Sequence, residues 1–192
     1  MSDLIITIGR ENGSGGREVG RIVADMLGVK CYDREIVEAT ARNAGVSVEE
    51  VERSEESRRR SPLYFGGIPS SNPMFEEQSE TIRSLASNGP CVFVGRCADY
   101  VLRDKNNVIN VFVTAPMPDR IRRSTSRNGI SEADAEERVR RKDAERAEYY
   151  RRYTGRIWGS VSNYDISVNT GRIGTENSAR LIVEYIDMCR MD

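Results

Sequence analysis

Histidine is absent from this chain, which excludes any mechanism with a histidine base. There are four cysteines and no Cys-x-x-Cys pair, so a Cys/His zinc site is not expected either. No apolar run approaches the ~20 residues that a membrane helix needs, and no basic segment followed by a long apolar one opens the chain. An excess of one charge is missing too: 29 Lys+Arg stand against 30 Asp+Glu, which argues against bulk attraction to nucleic acid or to a membrane surface. We find no internal repeat and no low-complexity tract. Cys31 and Cys91 sit in apolar, strand-like contexts and read as buried thiols, so the expected setting is a reduced cytoplasm. A length of 192 residues fits one domain with a sizeable core; 38% of the chain is hydrophobic and 31% charged.

What is present is organised around residues 4–20. The β-branched run Leu4–Ile8 passes into Gly9-Arg10-Glu11-Asn12-Gly13-Ser14-Gly15-Gly16-Arg17-Glu18, and an amphipathic segment follows from Val19 to Leu27. That order predicts strand, tight loop and helix. Glycines allow positive φ and a close backbone approach, and the free amides at a helix start favour phosphate. Gly13, Ser14, Gly15, Gly16, Arg17 and Glu18 therefore read as a phosphate cradle, against the plainer alternative of a glycine-rich turn that binds nothing. The usual phosphate loop is Gly, four residues, then Gly-Lys-Ser/Thr. With Gly15 as the second glycine, Gly16 replaces the lysine and Arg17 the hydroxyl residue.

The remainder alternates between the two periodicities. Expected helices are Gly16–Leu27, Arg34–Ala44, one opened by the capping box Ser47–Glu50, Met74–Asn88, Cys97–Leu102, one from Pro116 to about Arg127, one from the box Ser131–Asp134 to about Tyr153, and Glu176–Met191. Expected strands are Leu4–Ile8, Val29–Tyr32, Cys91–Val94, Val108–Thr114 and Asp165–Asn169. Residues 53–74, rich in charge, serine, proline and glycine, read as a mobile excursion or lid, or as a surface loop. Near-continuous apolar strands between helices predict an α/β fold with a parallel sheet covered on both faces. Ligands in such sheets sit beyond the carboxyl ends of the strands.

Three charged features lie at informative places. Arg96 follows a strand expected beside the cradle, and reads as a phosphate clamp or as a surface ion pair. Arg138, Lys142 and Arg146 lie at i, i+4 and i+8 on one helix face, with Arg141 beside them. They form a cationic stripe for a phosphoryl group, or simply a solvated face. Asp33 reads as a helix cap or as an acceptor-site carboxylate, and its position before a helix favours the cap.

Several of these stretches resemble one family. The runs Gly13–Glu18, Tyr32-Asp33-Arg34-Glu35, Gly89–Asp99, Asp143–Tyr150 and Tyr164–Thr170 are similar, in that order, to the cytidylate kinase-like proteins, a divergent branch of the P-loop nucleoside monophosphate kinases. The resemblance implies a P-loop NTPase-type parallel sheet, with a helical lid over 131–156 and a mobile acceptor-side excursion within 47–88. It implies that Gly95-Arg96 helps to bind the acceptor, with Asp33, Arg34 and Asp99 alongside. It implies that Asp143 and Arg146 form the lid's Asp-x-x-Arg, and that Arg17, Arg96, Asp143 and Arg146 serve catalysis. A further lid arginine of the family falls on Val139 here. The loop lysine and the magnesium-binding hydroxyl are absent, leaving Arg17 to carry the charge and Ser14 as the hydroxyl for the metal.

The implied activity is transfer of the ATP γ-phosphoryl group, with Mg2+, to a nucleoside monophosphate, CMP or dCMP first. A non-catalytic nucleotide- or phosphate-binding regulatory protein is the second reading, and a kinase for a non-nucleotide small molecule the third. Nucleotides are the expected partners. Homo-oligomerisation is left open.

Overall fold

The computed structural model describes residues 4–56 and 72–189. Five strands form one sheet: β1 (Ile5–Arg10), β2 (Lys30–Tyr32), β3 (Cys91–Val94), β4 (Val108–Thr114) and β5 (Ile166–Asn169). Their spatial order is β2-β3-β1-β4-β5, and every pairing is parallel. Eight helices accompany them among the described residues: α1 (Gly16–Leu27), α2 (Arg34–Ala44), α3 (Val48–Glu56), α4 (Pro73–Ala86), α5 (Ala98–Val101), α6 (Met117–Asn128), α7 (Glu132–Thr154) and α8 (Thr170–Cys189).

Strand alternation builds two cores from one sheet, because successive side chains point to opposite faces. Ile6, Ile8, Val92, Val111, Val113 and Val168 meet α1 and α8 on one face, through Val19, Val23, Ala179, Ile182 and Ile186. Ile5, Cys91 and Phe93 meet α2, α4 and α5 on the other, through Ile36, Ile82, Ala86, Ala98 and Val101. A smaller cluster of Val37, Ala41 and Val51, with Met74 against it, ties α3 to the α2–α4 pair.

The register leaves a step at the carboxyl edge of the sheet. β1 pairs with β3 from Ile5 to Ile8, but with β4 as far as Arg10. The end of β1 therefore overruns the end of β3 by two residues, at the middle of that edge.

Some expectations change. Asp33 does not cap α2: its carboxylate makes no capping bond and turns to arginines instead. The excursion expected over 53–74 is narrower, because α3 continues to Glu56 and α4 starts at Pro73 behind an Asn72 cap. The remainder of that excursion, with its reading as a lid, lies outside the described residues. A 3-10 turn at Val161–Asn163 was not foreseen, and the last helix opens early, with a turn at Thr170 before Gly174 breaks it at φ 75°, ψ 175°. Both capping serines do cap: Ser47 Oγ accepts from the Glu50 amide, and Ser131 Oγ from the Asp134 amide.

Candidate active site

The loop between β1 and α1 is built by its glycines. Gly13 and Gly15 adopt φ 80° and 82°, which side-chain-bearing residues rarely take. At Gly15 space is also lacking, since an added Cβ would lie 2.7 Å from the Thr175 methyl and 2.9 Å from Arg123 Nη1. The first intrahelical bond runs from the Val19 amide to the Gly15 carbonyl. The amides of Gly16, Arg17 and Glu18 precede it, in the place where a helix start offers donors to an anion.

The loop is braced from three sides. Glu11 accepts from the Thr114 hydroxyl and the Ala115 amide, and pairs with Arg120 at 2.8 Å. Arg120, only 3% exposed, also donates to Asp143 on α7 at 2.6 Å. Asp143 in turn accepts the Asn12 amide at 2.7 Å. Burial raises the Asp143 pKa, and the Asn12 amide and Arg120 oppose that shift. The third brace is Thr170, whose hydroxyl donates to the Ser14 carbonyl at 2.6 Å.

Beyond the loop, a cavity of about 1010 Å³ opens along the carboxyl edge of the sheet. Arg10, Arg17, Arg96 and Arg146 all line it. Burial, then the Arg146 charge, push the Arg10 guanidinium down to about 9; Arg96 and Arg17 add to this and Asp33 opposes it. Arg146 is lowered as well, by burial first, with Asp143 opposing and Arg17 and Arg96 reinforcing. Four like charges thus lie close enough to raise one another's energy, which is the setting that an anion relieves.

The carboxylate of Asp33 is shared. Arg17 Nε contacts one oxygen and Arg17 Nη2 the other at 3.4 Å, with Arg10 Nη2 at 3.9 Å. Arg146 donates to the Arg10 carbonyl at 3.2 Å and stands 3.9 Å from Asp143. Gly95, Arg96 and Cys97 form a left-handed turn at φ 78°, 56° and 55°. Each non-glycine residue held so costs about 1–2 kcal/mol, and such strain concentrates at functional positions.

Farther along, Asp99 accepts the Tyr150 hydroxyl at 2.6 Å, and burial raises its pKa. Trp158 and Tyr164 line this end and pack on Phe112. Here α7 is fastened to α4: Tyr149 donates to Gln78 at 3.0 Å, and the Tyr153 ring stacks on Phe75 at 4.3 Å. Asn72 also donates to the Tyr153 hydroxyl.

The cytidylate kinase-like family matches this sequence over residues 5–172. The chain belongs to the cytidylate kinase-like family. A cytidylate kinase of Aeropyrum pernix is 29% identical over 90% of this chain and 92% of its own length. Among solved structures, an uncharacterised protein of Eubacterium ventriosum is 26% identical with a TM-score of 0.76, covering 96% of this chain and 98% of the other. A shikimate kinase of Bacteroides thetaiotaomicron, 15% identical, reaches a TM-score of 0.60 over 96% of this chain and 98% of its own, which shows the shared P-loop kinase fold.

Set on this cytidylate kinase-like fold, the residues expected from sequence divide. Gly13, Gly15, Gly16, Arg17, Glu18, Arg96, Asp99, Arg138, Lys142 and Arg146 all line the cavity. Asp143 stands behind it as a brace. Glu18 contributes through its place at the helix start, since its carboxylate is taken by Arg123 at 2.8 Å and the Thr175 hydroxyl at 3.1 Å. Lys142 pairs with Glu145 at 2.9 Å. Arg34 is turned away, 71% exposed and paired with Glu38. Arg141 does not line the cavity and stands 3.9 Å from Glu145. The Ser14 hydroxyl is fully buried and donates to the Glu11 carbonyl at 2.9 Å, so it does not face the cavity. Val139, on the family's lid-arginine position, is fully buried, with Arg138 beside it in the cleft. Sequence reasoning missed Arg10, Arg120 and Tyr150. Arg10 had one signal, its place at the carboxyl end of the central strand; a buried Arg120 inside a charged helix had none.

Proposed function

We propose that this protein transfers the γ-phosphoryl group of Mg·ATP to a nucleoside monophosphate in the cytoplasm, with CMP or dCMP as the first acceptors to try. The observation that carries this is the convergence of Arg10, Arg17, Arg96 and Arg146 on one cavity beside a glycine cradle. A phosphate acceptor is already a nucleophile. One of its oxygens bonds to the γ-phosphorus while the bond to the ADP oxygen breaks and ADP leaves, with no proton acceptor required. Positioning and charge stabilisation then supply the catalysis.

The engagement of Asp33 supports a phosphate rather than an alcohol acceptor. An alcohol needs a carboxylate ready to take its proton, and here both Asp33 oxygens are held by Arg17. Among the described residues no cluster of three metal-ligating side chains occurs, which suits magnesium arriving on the ATP phosphates rather than in a protein cage. No disulfide holds Cys31, Cys91 or Cys189, which suits a reducing compartment, and no described helix is long and apolar enough to cross a membrane.

A regulatory nucleotide-binding protein is the second reading, favoured by Gly16 and Arg17 standing where a loop lysine and hydroxyl would be. Calorimetric titration with Mg·ATP, followed by transfer assays over a panel of monophosphates, separates the two. Binding with transfer supports the kinase. Binding without transfer to any monophosphate supports the regulator, and no binding removes both.

A further inference from the structure

We infer that Arg10 supplies the cation that spans the donor's terminal phosphates, in place of the lysine that the loop lacks. This rests on the proposed kinase reading and names the residue behind its donor site.

Two glycines make room for this one side chain. Gly16 stands at the lysine position, and a Cβ there would lie 2.4 Å from Arg10 Cβ and 2.9 Å from Arg10 Cγ. The stem of Arg10 therefore occupies the volume from which a loop lysine would start. At the other end, a Cβ on Gly95 would lie 1.5 Å from Arg10 Nη1 and 2.6 Å from Cζ. The guanidinium reaches across the short end of β3 because β1 overruns it, and it arrives at the cavity between the cradle and Arg96. A charge delivered from the strand replaces one delivered from the helix.

The group is held but not spent. Its side chain is 13% exposed, and Arg146 fixes its backbone through the Arg10 carbonyl. Its ion pair with Asp33 is 3.9 Å long, beyond hydrogen-bond reach, so its donors remain available to phosphate oxygens. Arg17, the cation that the loop itself carries beside Gly16, already gives Nε and Nη2 to Asp33. A planar fork such as Arg10's clamps two phosphate oxygens together, whereas an ammonium acts as a point charge.

The experiment compares wild type, Arg10→Met, Arg17→Met and Gly95→Ala, using AMP-PNP with magnesium and AMP as binding probes and CMP as acceptor. Arg10→Met keeps the stem and removes a cation crowded by like charges, so its ligand-free melting temperature is expected not to fall. Its AMP-PNP affinity is expected to drop roughly tenfold or more, the scale of one charged hydrogen-bonding group, with AMP affinity nearly unchanged. Transfer to CMP is expected to fall by ~10²-fold, as for loss of one electrostatic donor. Gly95→Ala expels the guanidinium while leaving residue 10 intact, and is expected to lose the same preference for AMP-PNP over AMP. Arg17→Met is expected to act on the CMP KM instead. The inference is overturned if wild type binds AMP-PNP and transfers, yet Arg10→Met and Gly95→Ala both keep the preference, or if Arg17→Met alone loses it. Wild-type protein that binds no AMP-PNP overturns both this inference and the kinase reading.

Discussion

Arg120 on α6 and Asp143 on α7 meet at 2.6 Å, inside a network that also holds the cradle's Glu11 and the Asn12 amide. Three separate stretches of chain are joined through one buried guanidinium.

The first expectation concerns that guanidinium. Arg120→Met removes the cation between Glu11 and Asp143, leaving, among the described residues, only Arg146 at 3.9 Å from Asp143, and breaking a buried pair in this way costs about 3–5 kcal/mol. Burial already raises the Asp143 pKa and Arg120 opposes that shift, so without Arg120 the loss is expected to shrink as acid protonates Asp143. Urea denaturation at neutral and mildly acidic pH checks both statements.

Asp99 gives a pH-dependent expectation of opposite use. Its folded pKa is raised by burial, so between the unfolded value, about 3.9, and the folded one the native state binds more protons than the unfolded state. Its contribution to stability therefore falls as pH rises through that window. Asp99→Asn keeps an acceptor for the Tyr150 hydroxyl and removes the charge. Its melting temperature is expected to gain on wild type as pH climbs from acid towards neutrality. A constant offset across that range would count against burial as the cause.

Arg146 is expected to matter for turnover more than for binding. It is tied to the Arg10 carbonyl and Asp143, so it stays in place without ligand. Arg146→Ala is expected to lower kcat by ~10²-fold or more with smaller changes in substrate affinity. Single-turnover kinetics beside equilibrium titration separates these effects. Normal turnover would make the cationic face of α7 a solvated surface.

The cradle has its own check. At Gly15 a side chain meets both unfavourable φ and the Thr175 methyl. Gly15→Ala is expected to weaken Mg·ATP binding and to lower stability by about 1–3 kcal/mol from backbone strain. Unchanged affinity in a folded variant would show that the loop does not hold the phosphates.

Much of the fold is legible in the sequence, and the reasons are physical. The strands are buried on both faces, so their apolar runs stand out, and β1, α1, α2, β3 and β4 fall close to where periodicity puts them. Arg96 beside the cradle follows from strand logic and holds, since β3 pairs with β1. Asp33 misleads because a residue before a helix has two equally local uses, and only the fold shows that Arg17, sixteen residues earlier, competes for its carboxylate. Arg34 and Arg141 mislead because neighbours in a motif point in different directions once on a helix. Arg120 is invisible: nothing local marks one arginine among several on a polar helix as the one that becomes buried.

Asp143 and Tyr153 lie ten residues apart on α7, about 15 Å along its axis at 1.5 Å per residue. One end grips the glycine-rich loop through Asn12, and the other is stacked on Phe75 of α4. An unbroken helix of this kind is a stiff rod, so whatever displaces α4 tilts the grip at the loop. The two ends of the cleft therefore share one moving part. Occupancy at one end is expected to change affinity at the other, and thermodynamic reciprocity makes the expected influence equal in both directions.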